Sequence, residues 1–192
     1  MYPKQTLFQT IPTQSNANYR KELSRHHDMS HSNLILHNNE NSLYQYFEIN
    51  MPYLILYENV NPTTNLSTYM ELSESSIVDT HMPYKDFLSM GGLRLHSHDF
   101  YELTFVLSGE LKMRIEDEYI TYHQGECCLC NKNIHHVEIM DHSTEIVLFL
   151  LKEEYLRDVI NANYYYDQNG NPHAIGSVFL HLFEENNKNS LY

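Results

Sequence analysis

Apolar and polar residues alternate most regularly in the middle of the chain. Leu111, Met113 and Ile115 interleave with Lys112, Arg114 and Glu116. That period of two puts one face of a strand in a core and the other in water. Short apolar runs of this kind recur between residues 75 and 151: SIVDTHM, LRLHS, FYELTFVLS, ELKMRIED, YITYH, ECCLC, HVEIM and EIVLFLL. Turn residues separate them, among them Gly91, Gly92, Gly109 and Gly125. About eight short strands at roughly 8–12-residue spacing predict a sandwich, jelly roll or barrel. Asp117 and Glu118 are expected to turn a tight hairpin into Tyr119.

The flanks read differently. Residues 1–74 are polar and Asn-rich, and residues 19–27 lack helix breakers, so a short helix is expected there. Residues 53–57 are apolar on both faces, which fits a buried strand or a short buried helix. Residues 61–65, with Pro62, make a turn or linker. From Lys152 the pattern becomes helical. Glu153 and Glu154 sit where a helix dipole favours acids, and Leu151, Tyr155 and Val159 share a face. Ile175, Phe179, Leu182 and Phe183 form a second apolar stripe, suited to a dimer helix or to docking on the barrel. The expected division is a partly helical N-terminal extension over 1–74, which either completes the barrel or packs outside it, a barrel over 75–151 and C-terminal helices over 152–192 for dimerisation or relay.

Composition narrows the function. With 192 residues, one domain plus appendages is expected. Lys plus Arg total 12 against 25 Asp plus Glu, a net charge of -13, and no basic run exists. The polypeptide by itself is therefore a poor binder of nucleic acid. No apolar run approaches the roughly 20 residues that span a bilayer, and the first residues lack a secretory h-region. Cys127, Cys128 and Cys130 are an odd, clustered set, not a disulfide framework, so a reducing cytoplasm is expected. On a strand Cys127 and Cys130 face opposite sides, whereas Cys128 and Cys130 share a face and are candidates to line a cavity.

The informative chemistry begins at Gly92. On a continuous strand His96, His98 and Glu102 point the same way, with the two histidines about 6.6 Å apart along it. A fourth group is available from the segment Gly125 to His136. Because His135 and His136 face opposite ways, only one joins the cluster. Two imidazoles and a carboxylate suit Fe, Mn, Zn or Ni, and they also suit plain hydrogen bonding inside a polar cavity. His27 and His31 have helical spacing without a third ligand nearby and are read as solvated.

The run HSHDFYEL over residues 96–103, the turn Ser108-Gly109-Glu110 and the segment GECCLCNKNIHH over 125–136 resemble the two signatures of the cupin superfamily. They are most similar to the sensor half of AraC-type transcription regulators. The segment departs from that pattern at Lys132, where proline is usual, and at His135. The resemblance implies a mainly β, cupin-like double-stranded β-helix (a jelly-roll barrel) with an N-terminal extension and C-terminal helices. It implies a homodimeric sensor of a small-molecule effector, a sugar being the expected class, with His96, His98, Glu102 and His136 at the ligand. DNA would be reached only through a helix-turn-helix half that this sequence lacks. On that reading the chain is not an enzyme and needs no cofactor. The alternative is a metal-dependent cupin enzyme, a dioxygenase or isomerase, with a divalent metal on the same four residues.

Overall fold

The computed structural model describes residues 23–37, 44–89, 94–159 and 169–170. The strands are β1 (Ser24–His26), β2 (Leu34–His37), β3 (Gln45–Ile49), β4 (Tyr53–Asn61), β5 (Leu66–Leu72) and β6 (Ser76–Pro83). Helix α1 (Tyr84–Ser89) intervenes before β7 (His96–His98), β8 (Tyr101–Ile115), β9 (Glu118–His123), β10 (Cys127–Cys130), β11 (His136–Ile139) and β12 (Thr144–Leu151). Helix α2 (Glu153–Val159) follows, and a single 3-10 turn at Met29–His31 precedes β2.

These strands make two facing layers that share β8. One runs β1-β6-β5-β4-β12-β8-β10 and the other β9-β8-β11-β7-β3-β2. The pairs are antiparallel except β1 with β6 and β3 with β7. Alternation decides what lies between the layers. Thr144, Ile146, Leu148 and Leu150 of β12 are buried, as are Leu54, Leu56 and Val60 of β4 and Leu111, Met113 and Ile115 of β8. The mainly β jelly roll expected from the sequence is what forms.

The predicted runs FYELTFVLS and ELKMRIED are one strand. β8 crosses from the first layer to the second at Gly109 (φ +78°), where the register with β12 slips by one residue at Leu107. The bulge adds the local twist that a corner needs. The next hairpin lies one residue earlier than expected. Ile115 pairs with Glu118, so Glu116 (φ 50°) and Asp117 make the turn.

The N-terminal zone departs most from the sequence reading. The helix expected at 19–27 is corrected for its described part, because Ser24–His26 is a strand beside β6. Backbone pairing to a ready edge outweighs weak local helix preference. Strands β2 to β5 pair within the layers, so this part of the zone completes the fold. Buried Glu71 on β5 holds this zone in place. It accepts hydrogen bonds from Ser32 Oγ at 2.7 Å and from the backbone N and Nδ2 of Asn33 at 2.6 Å each. Truncating it as Glu71→Ala would leave the Asn33 N–H without its acceptor and Ser32 Oγ and Asn33 Nδ2 with only their longer bonds to Leu34 O and Ser76 Oγ, and is expected to cost about 3 kcal/mol in chemical denaturation. A loss under about 1 kcal/mol would mean that Glu71 holds nothing.

Tyr155 of α2 packs on Tyr53, and Leu156 is buried. The stripe from Ile175 to Phe183 lies outside the described residues. Among the described residues, no helix is long and apolar enough to cross a membrane.

Candidate metal centre

β7 and β11 are neighbours, and His96 pairs directly with His136 across them. The chain then leaves β7, turns at Asp99 and Phe100, and re-enters as β8 in the other layer. His96, His98 and Glu102 therefore do not lie on one continuous strand, as their shared parity suggested. They converge because the turn folds the two strands over one interior. The His96 and His136 rings are 4.3 Å apart between centroids, and His98 and His136 are 5.0 Å apart. Glu102 reaches both, with Oε2 3.7 Å from His98 Nε2 and Oε1 3.7 Å from His136 Nε2.

Each imidazole is oriented from behind. The Nδ1 of His96 contacts Arg94 O at 3.2 Å, that of His98 contacts Phe100 O at 2.7 Å, and that of His136 contacts Ile134 O at 3.1 Å. A carbonyl only accepts, so in each ring Nδ1–H donates and Nε2 is directed into the cluster. His98 also stacks on Phe100 at 4.1 Å. Thr104 Oγ1 donates to Glu102 Oε1 at 3.1 Å and fixes the carboxylate.

Sequence reasoning missed Glu138. It stands two residues beyond His136 on β11, on the same face, with Oε1 3.3 Å from His136 Nε2 and Oε2 3.7 Å from His96 Nε2. The parity that selected His96 and His98 was available in HVEI too. One ligand atom from each of His96, Glu102, His136 and Glu138 lies within 4.8 Å of all the others, and all four residues are buried. His135 points the other way, 3.6 Å from Glu116.

Lys132, the departure from the expected proline, ion-pairs with Glu153 at the start of α2 and lies over the Tyr101 ring. Asn133 takes φ 64°, and its N–H donates to His98 O at 2.9 Å. The turn thus aims His136 inward without a proline. His31 lies away from the cluster, exposed and stacked on His26, and His27 likewise takes no part. Cys128 and Cys130 share the inward face, with sulfurs 3.8 Å apart, and Cys127 is exposed. The pair packs in the core and does not line the cavity, contrary to expectation.

Burial pushes His96 down to about 4 and His98 well below the usual imidazole value, so both are neutral donors at pH 7. Burial and the charge of Glu138 push Glu102 up. His136 moves the other way. Burial opposes its charge, but Glu138 and Glu102 outweigh that and hold its pKa high. For Glu138, burial is likewise outweighed by His96 and His136, which hold its carboxyl low.

The donor set fits a divalent transition metal. His98 Nε2, His136 Nε2 and Glu138 Oε1 are buried without a hydrogen-bond partner, a costly state unless something binds there. Above the cluster opens a cavity of about 330 Å³. Its walls are mainly Leu, Phe and Met, and Met29, Ser32, Leu34 and Leu36 from the N-terminal zone close one side.

These features agree with the comparison to known families. Residues 90–151 match the family model of the cupin domain. The match spans the segments 96–110 and 125–136 and stops at the end of β12. Solved structures similar to the chain include a cupin-2 domain containing protein from Shewanella frigidimarina, at 19% identity and TM-score 0.31, covering 47% of this chain and 74% of that one. A cupin 2 conserved barrel domain protein from Salinispora arenicola has 12% identity and TM-score 0.32, covering 56% of this chain and 85% of that one. The plu4264 protein from Photorhabdus luminescens has 18% identity and TM-score 0.35, covering 59% and 74%. Among curated protein sequences, none matches the chain.

Proposed function

We propose that this cupin barrel binds a small organic ligand above a buried divalent-metal centre. One observation carries the reading. Three imidazoles, each locked through Nδ1 to a backbone carbonyl, turn Nε2 toward two buried carboxylates, and two of those nitrogens have no hydrogen-bond partner. His96, His98 and His136 through Nε2, with Glu102 and Glu138, would hold the ion. Bound there, it would supply a Lewis-acidic anchor for an oxygen or nitrogen donor of the ligand. The chain's own part is to orient the donors, exclude water with its Leu, Phe and Met walls, and enclose the ligand's body. Those walls favour an apolar body over a polyhydroxylated sugar, whose hydroxyls would find few partners.

Elemental analysis of protein purified without a His-tag tests the centre. Close to one equivalent of Fe, Mn, Co, Ni or Zn is expected, and His136→Ala should lower metal affinity by at least about tenfold. Protein that stays blank after loading at neutral pH would overturn the reading.

A second reading places the same site in the sensor half of an AraC-type regulator, without turnover. The observation that favours it is the run HSHDFYEL, whose His96, His98 and Glu102 meet beside a ligand-sized cavity. Sensing requires that ligand favour one of two states. Sedimentation with and without a bound ligand should then show a changed association state. An unchanged state, with ligand chemically altered by the metal-loaded protein, would support a dioxygenase or isomerase instead.

A further inference from the structure

Glu58 interrupts an apolar row. On β4 it shares the inward face with Leu54, Leu56 and Val60, and Ile146 and Tyr69 flank it across the neighbouring strands. It lines the cavity and, among the described residues, makes no hydrogen bond or ion pair. Glu71, one strand away, shows the contrast, because Ser32 and Asn33 satisfy its carboxylate. An inward carboxyl without a protein partner is destabilising, so its use lies toward what enters the cavity.

The rest of the lining gives the sign of that ligand. The described lining holds three carboxylates, Glu58, Glu102 and Glu138, and neither lysine nor arginine. Glu138 Oε1 is buried and without a hydrogen bond. The rings of Phe47, Tyr69, Phe87 and Phe100 also face this space. A cation entering beside Glu58 would favour the ionised form of its carboxyl and be held against these π faces. Glu102 and Glu138 face the histidines, which leaves Glu58 for the ligand.

We propose that the cavity selects ligands carrying a protonated amine, with Glu58 as the ammonium's partner and the ligand's apolar body against the Leu and Phe walls. This deepens the ligand-binding reading and rests on the cavity being a ligand site, not on which metal is bound.

Calorimetry with hexylamine, 1-hexanol and hexanoate, on chelator-treated protein so that no bound ion draws the carboxylate, tests it. Hexylamine is expected to bind at least about tenfold more tightly than 1-hexanol, and hexanoate most weakly. Glu58→Gln, and Glu58→Leu as a second variant, should bring hexylamine and 1-hexanol to within about threefold of each other. Hexanoate binding as tightly as hexylamine, a preference that survives both substitutions, or no binding of hexylamine would each overturn the proposal. A blank metal analysis with the amine preference intact would remove the metal reading and leave this one standing.

Discussion

Gly109→Ala is expected to destabilise the barrel by about 3–5 kcal/mol, or to prevent folding at 37 °C. A Cβ at this position would lie 2.1 Å from Ser143 O and 3.1 Å from Ser143 C, both backbone atoms. The φ of +78° adds strain for any residue with a side chain. Neither term relaxes cheaply. Gly109 pairs with Thr144 where β8 passes from one layer to the other, so moving the backbone disturbs both layers. Gly125→Ala is the control. Its φ is +89°, but nothing lies within 4 Å of the added Cβ, so about 1–2 kcal/mol is expected. Urea denaturation of the two variants separates clash from strain. Equal losses in both would refute the close approach at the corner.

Wild-type stability should fall as pH rises from 5 to 9 relative to Glu58→Gln. Burial, then the charges of Glu138 and Glu102, raise the Glu58 carboxyl from 4.5 to about 8. The folded state then binds the proton more tightly than the unfolded one. The associated stability is complete below pH 4.5, declines through the window, and is gone above about 8. At about 1.4 kcal/mol per pH unit the full effect approaches 5 kcal/mol, and water in the cavity reduces it to about 3 kcal/mol. The groups facing Glu58 are Glu102 on β8, Glu138 on β11 and Tyr69 on β5, the last pushed well above 10 chiefly by burial. They are common to both proteins, so the difference isolates Glu58. Chelator-treated protein unfolded in urea at several pH values gives the measurement. A difference constant with pH would show that Glu58 is already solvated. If the variant gains stability at pH 9, the carboxyl is kept at a stability cost, as expected for a group that serves a ligand.

Much of the site was legible in the chain. Side-chain parity on a strand is local geometry, so HSH marked two inward imidazoles, and the pair His135-His136 showed that only one could join them. The same rule applied to HVEI would have marked Glu138. Glu58 was harder to find. An acid in YLILYENV reads as the end of an apolar run until the register with β12 and β5 places it in the row of Ile146 and Tyr69. The continuous strand expected from His96 to Glu102 failed for a related reason. Whether parity carries across a turn depends on which layer receives the next strand, and that is set by pairing with distant segments.

Period-two alternation and the turn residues determined that this protein is mainly β, a sandwich, jelly roll or barrel. The histidines on the strand face determined that imidazoles lie inside it, because both properties are written in consecutive residues. Tertiary structure decided that β2 to β5 belong to the barrel, that Glu71 holds Ser32 and Asn33 so that the N-terminal zone walls the cavity, and that five ionisable groups from β7, β8 and β11 meet at its floor. Those outcomes depend on pairings between segments far apart in the chain, whose energies come from shared burial and hydrogen bonds that no single segment contains.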